Sequence, residues 1–128
     1  MTYLDSNVII RLLEADAATR QTLTTQLDGR AGGFITSELS LIECRCRPMK
    51  QNDHYLLKLY DDFFASADLR LVTMDRAVID MATGLRASTK LRTPDALHLA
   101  AALVHQADVF CTGDMHFRDV SQIAIEIL

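Results

Sequence analysis

Four carboxylates, Asp5, Glu43, Asp95 and Asp114, hold the positions in this chain from which acid chemistry could be run. Asp5 follows a short apolar segment, and Asp114 follows Val109-Phe110-Cys111-Thr112 and the break at Gly113. Asp95 comes straight after Thr93-Pro94, at the head of a long apolar run. Glu43 shares a helix face with Leu39 and Ile42 by the three- and four-residue spacing, which points it inward. An inward carboxylate is costly unless something offsets its charge. For Glu43 a buried pair with Arg45 or Arg47 is the plain structural answer, and a shared cation is the functional one. Three or four carboxylates in one cleft repel one another and cannot all stay ionised alone. A hard divalent cation, Mg²⁺ or Mn²⁺, relieves that repulsion, takes oxygen ligands and bridges to substrate phosphate. Such a site activates water and neutralises charge in an in-line phosphoryl displacement.

The elements that must position these acids alternate along the chain. Strands are expected at about 2–4, 34–36, 69–73, 108–112 and 123–127, from short β-branched and aromatic runs. Between them lie helical patterns. Val8, Ile9, Leu12 and Leu13 form one apolar face, with Ser6 or Asn7 as its cap. Residues 16–28 read as an exposed helix, Ser37 caps the helix carrying Glu43, and Pro48 ends it. Asn52-Asp53 opens a helix with Leu56, Leu57, Tyr60, Phe63 and Phe64, and Val78, Met81, Ala82 and Leu85 mark the next. Thr93 caps the helix that begins with Pro94, and Ala96 to Val104 is apolar except for His98, so this helix belongs in a core. His98 reads as a satisfied core histidine, with support of Asp95 as the second reading; His54 and His116 read as surface residues. The alternation predicts one α/β domain over residues 1–128 with a mainly parallel five-stranded sheet. If strands one and four are neighbours at the point where the strand order reverses, Asp5 and Asp114 meet there.

Composition sets limits on what this chemistry serves. A chain of 128 residues, 49% hydrophobic and 23% charged, can bury a core without disulfides or a structural metal. No apolar run spans a bilayer and no leader is apparent at Met1-Thr2-Tyr3-Leu4, so a cytoplasmic protein away from the membrane is expected. Three cysteines are an odd count for a disulfide framework and read as reduced thiols; Cys44-Arg45-Cys46 lacks a second ligand pair for zinc. The net charge of −4 argues at first against a nucleic-acid partner. With four of the 17 acids assigned to a metal site, the remaining 13 balance the 13 basic residues, and a locally basic surface is open. Arg86, Lys90 and Arg92, read as a loop before Asp95, are the candidates to hold RNA phosphates; the alternative is a solvated basic loop.

Four blocks of this sequence, taken together, resemble the signature blocks of PIN-domain nucleases. They are Asp5-Ser6-Asn7, Ser37 to Glu43, Thr93 to Ala100, and Thr112-Gly113-Asp114-Met115-His116-Phe117. Within that family they are most similar to the VapC-type toxins of bacterial toxin–antitoxin pairs. The resemblance covers nearly the whole chain and implies a PIN-like three-layer α/β/α fold. It implies a Mg²⁺- or Mn²⁺-dependent endoribonuclease with Asp5, Glu43, Asp95 and Asp114 as its acidic quartet, and with Asn7 and Thr112 orienting the carboxylates. It also implies a homodimer, assembly into larger toxin–antitoxin particles and inhibition by a small VapB-like antitoxin. Many relatives carry a further acid two residues after the last aspartate, where this chain has His116; Asp119 is out of register.

Three rival readings draw on the same residues. A haloacid-dehalogenase-like phosphatase would use Asp5 as a covalent nucleophile, but wants an aspartate where Asn7 stands and leaves Glu43 and Asp95 without a task. A response-regulator receiver would need an acceptor aspartate where Thr73 stands. An inactive PIN-like interaction module would have no use for the quartet.

Overall fold

Residues 1–128 are all described by a computed structural model. Its strands are β1 (Thr2–Leu4), β2 (Phe34–Ser37), β3 (Leu69–Val72), β4 (Val109–Thr112) and β5 (Ala124–Ile127). They pair in the order β3-β2-β1-β4-β5, and every pairing is parallel. The order therefore reverses at β1, which is flanked by β2 and β4. Strands of one sense end at one edge of the sheet, so with β1 and β4 adjacent, the condition set by the sequence reading, Asp5 and Asp114 leave neighbouring strands at the same edge.

The helices are α1 (Ser6–Glu14), α2 (Ala17–Leu27), α3 (Glu38–Lys50), α4 (His54–Phe64), α5 (Arg76–Ser88) and α6 (Thr93–Val104). They form two layers because successive strand residues face opposite sides. Tyr3 and Phe110 lie in a core with Leu99, Ala100 and Ala101 of α6 and Val78, Ala82 and Leu85 of α5. Leu4 and Cys111 lie in the other with Val8 and Ile9 of α1, Leu27 of α2, Cys44 of α3 and Tyr60 of α4. Tyr3 stacks on Phe110 with ring centres 5.1 Å apart, which ties β1 to β4 next to the acids. All three cysteines are free, and burial pushes the Cys44 and Cys111 thiols up to about 12 and about 11. No helix is long and apolar enough to cross a membrane.

Local chemistry departs from the sequence expectations at several ends. Asp5 itself caps α1, its Oδ1 accepting the Ser6 N–H at 2.8 Å, where Ser6 or Asn7 was expected to cap. The helix of residues 16–28 is not simply exposed, since Leu23 and Leu27 are buried. Pro48 does not end α3, which runs on to Lys50. The bond a proline deletes sits only one turn from the end, and the chain turns instead at Asn52 with φ +52°. Thr93 lies inside α6 and Arg92 holds the cap position without a side-chain bond. Met81, placed on the apolar face of α5, is 41% exposed. Ile42 is 66% exposed, so of the expected inward trio Glu43 turns in and Ile42 turns out.

Candidate acidic active site

The site forms where β1, β4 and the head of α6 meet. Thr112, the last residue of β4, is fully buried and acts as its hub. Its hydroxyl donates to Asp5 Oδ2 at 2.7 Å and accepts from Asn7 Nδ2 at 3.2 Å and from the Asp114 backbone N–H at 3.0 Å. One donor and two lone pairs are thereby all used. Asn7 bridges the same two strands from α1. Its Nδ2 donates to Asp5 Oδ2 at 2.9 Å and its Oδ1 accepts the Gly113 N–H. A Cβ at Gly113 would stand 3.1 Å from the Arg11 guanidinium and 3.2 Å from Asn7 Oδ1, so this close approach suits glycine.

Asp95 enters from the first turn of α6, where the helix dipole favours an anion. It accepts no hydrogen bond from the protein, and its nearest cation is Arg92 at 3.7 Å. Burial raises its pKa, the Asp114 charge adds to that, Arg92 opposes, and Asp5 contributes further. Asp95 therefore feels the charges of both Asp114 and Asp5. Asp114 is less strained: burial works to raise its pKa, but the backbone N–H and ring of His116 outweigh it and hold it below the usual range. His116 Nδ1 lies 2.7 Å from Asp114 Oδ1 on an exposed ring.

Glu43 reaches the site from α3, and its partner is neither Arg45 nor Arg47. Arg45 pairs with Asp61 at 3.8 Å, and Arg47 pairs with Glu14. Glu43 Oε1 instead lies 2.5 Å from His98 Nε2, and His98 Nδ1 lies 2.8 Å from the Tyr3 hydroxyl. Burial would raise the Glu43 pKa, but its bond to His98 and that ring's charge carry it below the ordinary value. His98 is thus the satisfied core histidine its position predicted, with Glu43 as its partner. Tyr3 is a site residue that sequence reasoning missed; only the period-two alternation of β1, which sends it to the α6 side, pointed there.

A cleft of about 770 Å³ opens beside Asp95 and takes in Lys90, Arg92, His116 and Asp119. Arg86 does not line it. Helix α5 runs through Ser88, so Arg86 is a helical residue, and its Nη1 donates to the Leu91 carbonyl at 2.8 Å. It braces the loop that Lys90 and Arg92 occupy, and the expectation that Arg86 lies in a loop is corrected. On the other side of Asp114, Asn7, Arg11 and Gly113 line a second, shallower recess.

The donors fit a hard divalent cation. They are carboxylate oxygens, and one of them, Asp95, is half-buried and repelled by two others without a bonded partner. As the side chains stand, no three His, Cys, Asp or Glu residues form a group that could hold a metal ion.

A family model described as PIN domain matches residues 2–123. No curated protein sequence matches the chain. Among solved structures, a toxin–antitoxin complex from Klebsiella pneumoniae superposes with TM-score 0.77 at 18% identity, over 97% of this chain and 96% of that one. The VapBC2 complex of Rickettsia felis, bound to a DNA fragment from its promoter, gives 0.77 at 16% identity over 98% of each chain. VapC20 of Mycobacterium tuberculosis, a toxin that cleaves the sarcin–ricin loop, gives 0.74 at 14% identity over 97% and 99%.

Proposed function

The chain belongs to the PIN domain family, and from that premise we propose that it is a Mg²⁺- or Mn²⁺-dependent endoribonuclease working as the toxin of a toxin–antitoxin pair. The observation that carries the reading is Asp95, at the head of α6, set against the charges of Asp114 and Asp5, which Thr112 ties together where β1 and β4 end. Asp5, Asp95 and Asp114 would hold the cation, and Glu43 would hold it through water or orient the attacking water. The cation supplies charge neutralisation at the scissile phosphate and lowers the pKa of water. The chain's own part is to fix the carboxylates. Thr112 and Asn7 set Asp5, the α6 head sets Asp95, and His116 steadies Asp114. Asn7 supports this reading over a phosphatase with Asp5 as nucleophile, since an amide cannot serve as that enzyme's acid and base. The single-domain reading of residues 1–128 is supported by one sheet that includes both the first and last strands.

Cleavage of a mixed RNA pool by the purified protein, dependent on Mg²⁺ or Mn²⁺ and abolished by EDTA, is the test. A protein that cuts no RNA with either metal, freed of any antitoxin, would sink it.

Lys90 and Arg92 would hold RNA phosphates along the cleft. Replacing both with alanine is expected to lower the slope of log affinity against log salt by about 1.4, at about 0.7 per lost single-strand contact. An unchanged slope would remove them from the interface. The antitoxin partner is proposed on the likeness to toxin–antitoxin complexes; larger toxin–antitoxin assemblies rest on the same likeness. The homodimer is supported by an apolar recess formed by Leu39, Ile42, Met74, Ile79 and Leu97, flanked on α3 by Glu38 and Arg45. Two α3 helices crossing antiparallel about Ile42 would set Glu38 of each copy near Arg45 of the other. Ile42→Glu is expected to give a monomer by light scattering; a dimer that survives it places the interface elsewhere.

A further inference from the structure

His98 is a buried titratable side chain at this site that the reaction scheme above leaves without a task. It is 2% exposed on α6, yet it reaches Tyr3 of β1, Glu43 of α3 and Asp5 between β1 and α1. Its Nε2 lies 2.5 Å from Glu43 Oε1 and 3.6 Å from Asp5 Oδ1, and its Nδ1 lies 2.8 Å from the Tyr3 hydroxyl. Asp5 has no need of it. Both Asp5 oxygens already accept from Ser6, Asn7 and Thr112. Glu43 does need it, because it is the acid that comes from a helix flank rather than a strand end, on a long side chain with more rotamers to lose.

The protons have one consistent arrangement about Glu43. An ionised carboxylate only accepts, so Nε2 must carry the hydrogen between them. Nδ1 then faces the Tyr3 hydroxyl, and Tyr3 is itself fully buried and stacked on Phe110. The ring is clamped at both nitrogens against the core, and a clamped ring fixes one carboxylate oxygen of Glu43. We propose that His98, braced by Tyr3, is a positioning residue that commits one oxygen of Glu43 and thereby presents the other to a divalent cation or its water. The inference rests on the metal-dependent reading above. Ordering Glu43 in advance spares that cost when the cation binds, as partners of metal ligands do elsewhere.

The test combines Mn²⁺ titration by calorimetry with nitrogen NMR of the metal-free protein, in variants whose folding is checked by circular dichroism. His98→Leu is expected to weaken Mn²⁺ binding about 10-fold. His98→Gln, whose amide N–H can still reach Glu43, is expected to recover most of it even if the leucine variant folds poorly. Glu43→Ala is expected to cost the same factor, and His98→Leu added to it to cost nothing more, because the histidine acts through Glu43. In the spectrum Nε2 is expected to be protonated and to shift in Glu43→Ala. Unchanged Mn²⁺ affinity in His98→Leu, independent losses in the double variant, or an unprotonated Nε2 would each overturn the inference, and RNA cleavage could survive any of them. Mn²⁺ binding that depends on His98 in a protein that cuts no RNA would leave the inference standing and overturn the nuclease reading.

Discussion

Asp95→Asn is expected to cut RNA cleavage by about 1,000-fold while making the metal-free protein slightly more stable. The loss follows from the position of Asp95, the least satisfied of three carboxylates around the proposed cation. Holding that cation is worth several kcal/mol of transition-state charge stabilisation, and about 4 kcal/mol is roughly 1,000-fold in rate. The gain follows from the same environment. Burial, Asp114 and Asp5 all raise the Asp95 pKa, so its ionised form destabilises the fold. An amide of the same shape removes that repulsion. A rise in melting temperature of about 1–3 °C at neutral pH is expected, modest because the cleft is wet. The sign has a pH dependence. For a carboxylate with a raised folded pKa the penalty is present above that pKa and disappears as pH falls through it, so the advantage of asparagine should fade in acid. Adding Mn²⁺ should reverse the order, stabilising the wild type by mass action and the variant little. A melting temperature that falls in Asp95→Asn without metal would show that Asp95 is a structural cap rather than a strained ligand.

Thr112→Val should lose on both counts. Valine keeps the shape but deletes a hydroxyl that is wholly buried and wholly used. Asp5 loses a short bond from an O–H donor, and the Asp114 N–H loses its acceptor. Bonds to charged groups contribute about 1.5–3 kcal/mol each, so a stability loss of about 2–3 kcal/mol in urea is expected. Two carboxylates lose their orientation together, and activity should fall about 10- to 100-fold, as for partners of metal ligands elsewhere. Thr112→Ser, which keeps the hydroxyl, should recover most of the activity. Equal loss in serine and valine variants would assign Thr112 to packing. The contrast with Asp95→Asn separates the acid that strains the fold from the hydroxyl that holds it.

The sheet and three of the acids were legible because they follow from local rules. Strand type and alternation placed Asp5 and Asp114 at one edge, and Pro94 with the apolar run placed Asp95 at a helix head. Glu43 was legible as an inward carboxylate, but its partner was not. His98 is distant in sequence and comes near only where α3, packed in the layer with α1 and α4, meets α6 of the other layer, while Arg45 and Arg47 were near in sequence and face elsewhere. Ile42 misled for a related reason. Helical spacing shows which residues are neighbours and not which way the shared face turns. Pro48 and Arg86 show the limits of end signals: α3 tolerates a proline one turn from its end, and α5 runs three residues into what read as loop. Tyr3 carried no mark of its own beyond β alternation.

The placement of β1 at the middle of the sheet has a consequence for the timing of activity. Asp5 and Thr112, which bond directly, are 107 positions apart, and a ribosome releases the earlier long before the later. Until β4 emerges, β1 lacks one of its two neighbours and Asp5 has neither Thr112 nor Asp114 beside it. Contacts of such long sequence separation form late and slowly. A nascent chain therefore carries no assembled acidic site past the messenger that encodes it, and a chain with the proposed ribonuclease activity would become dangerous only once β4 has been made.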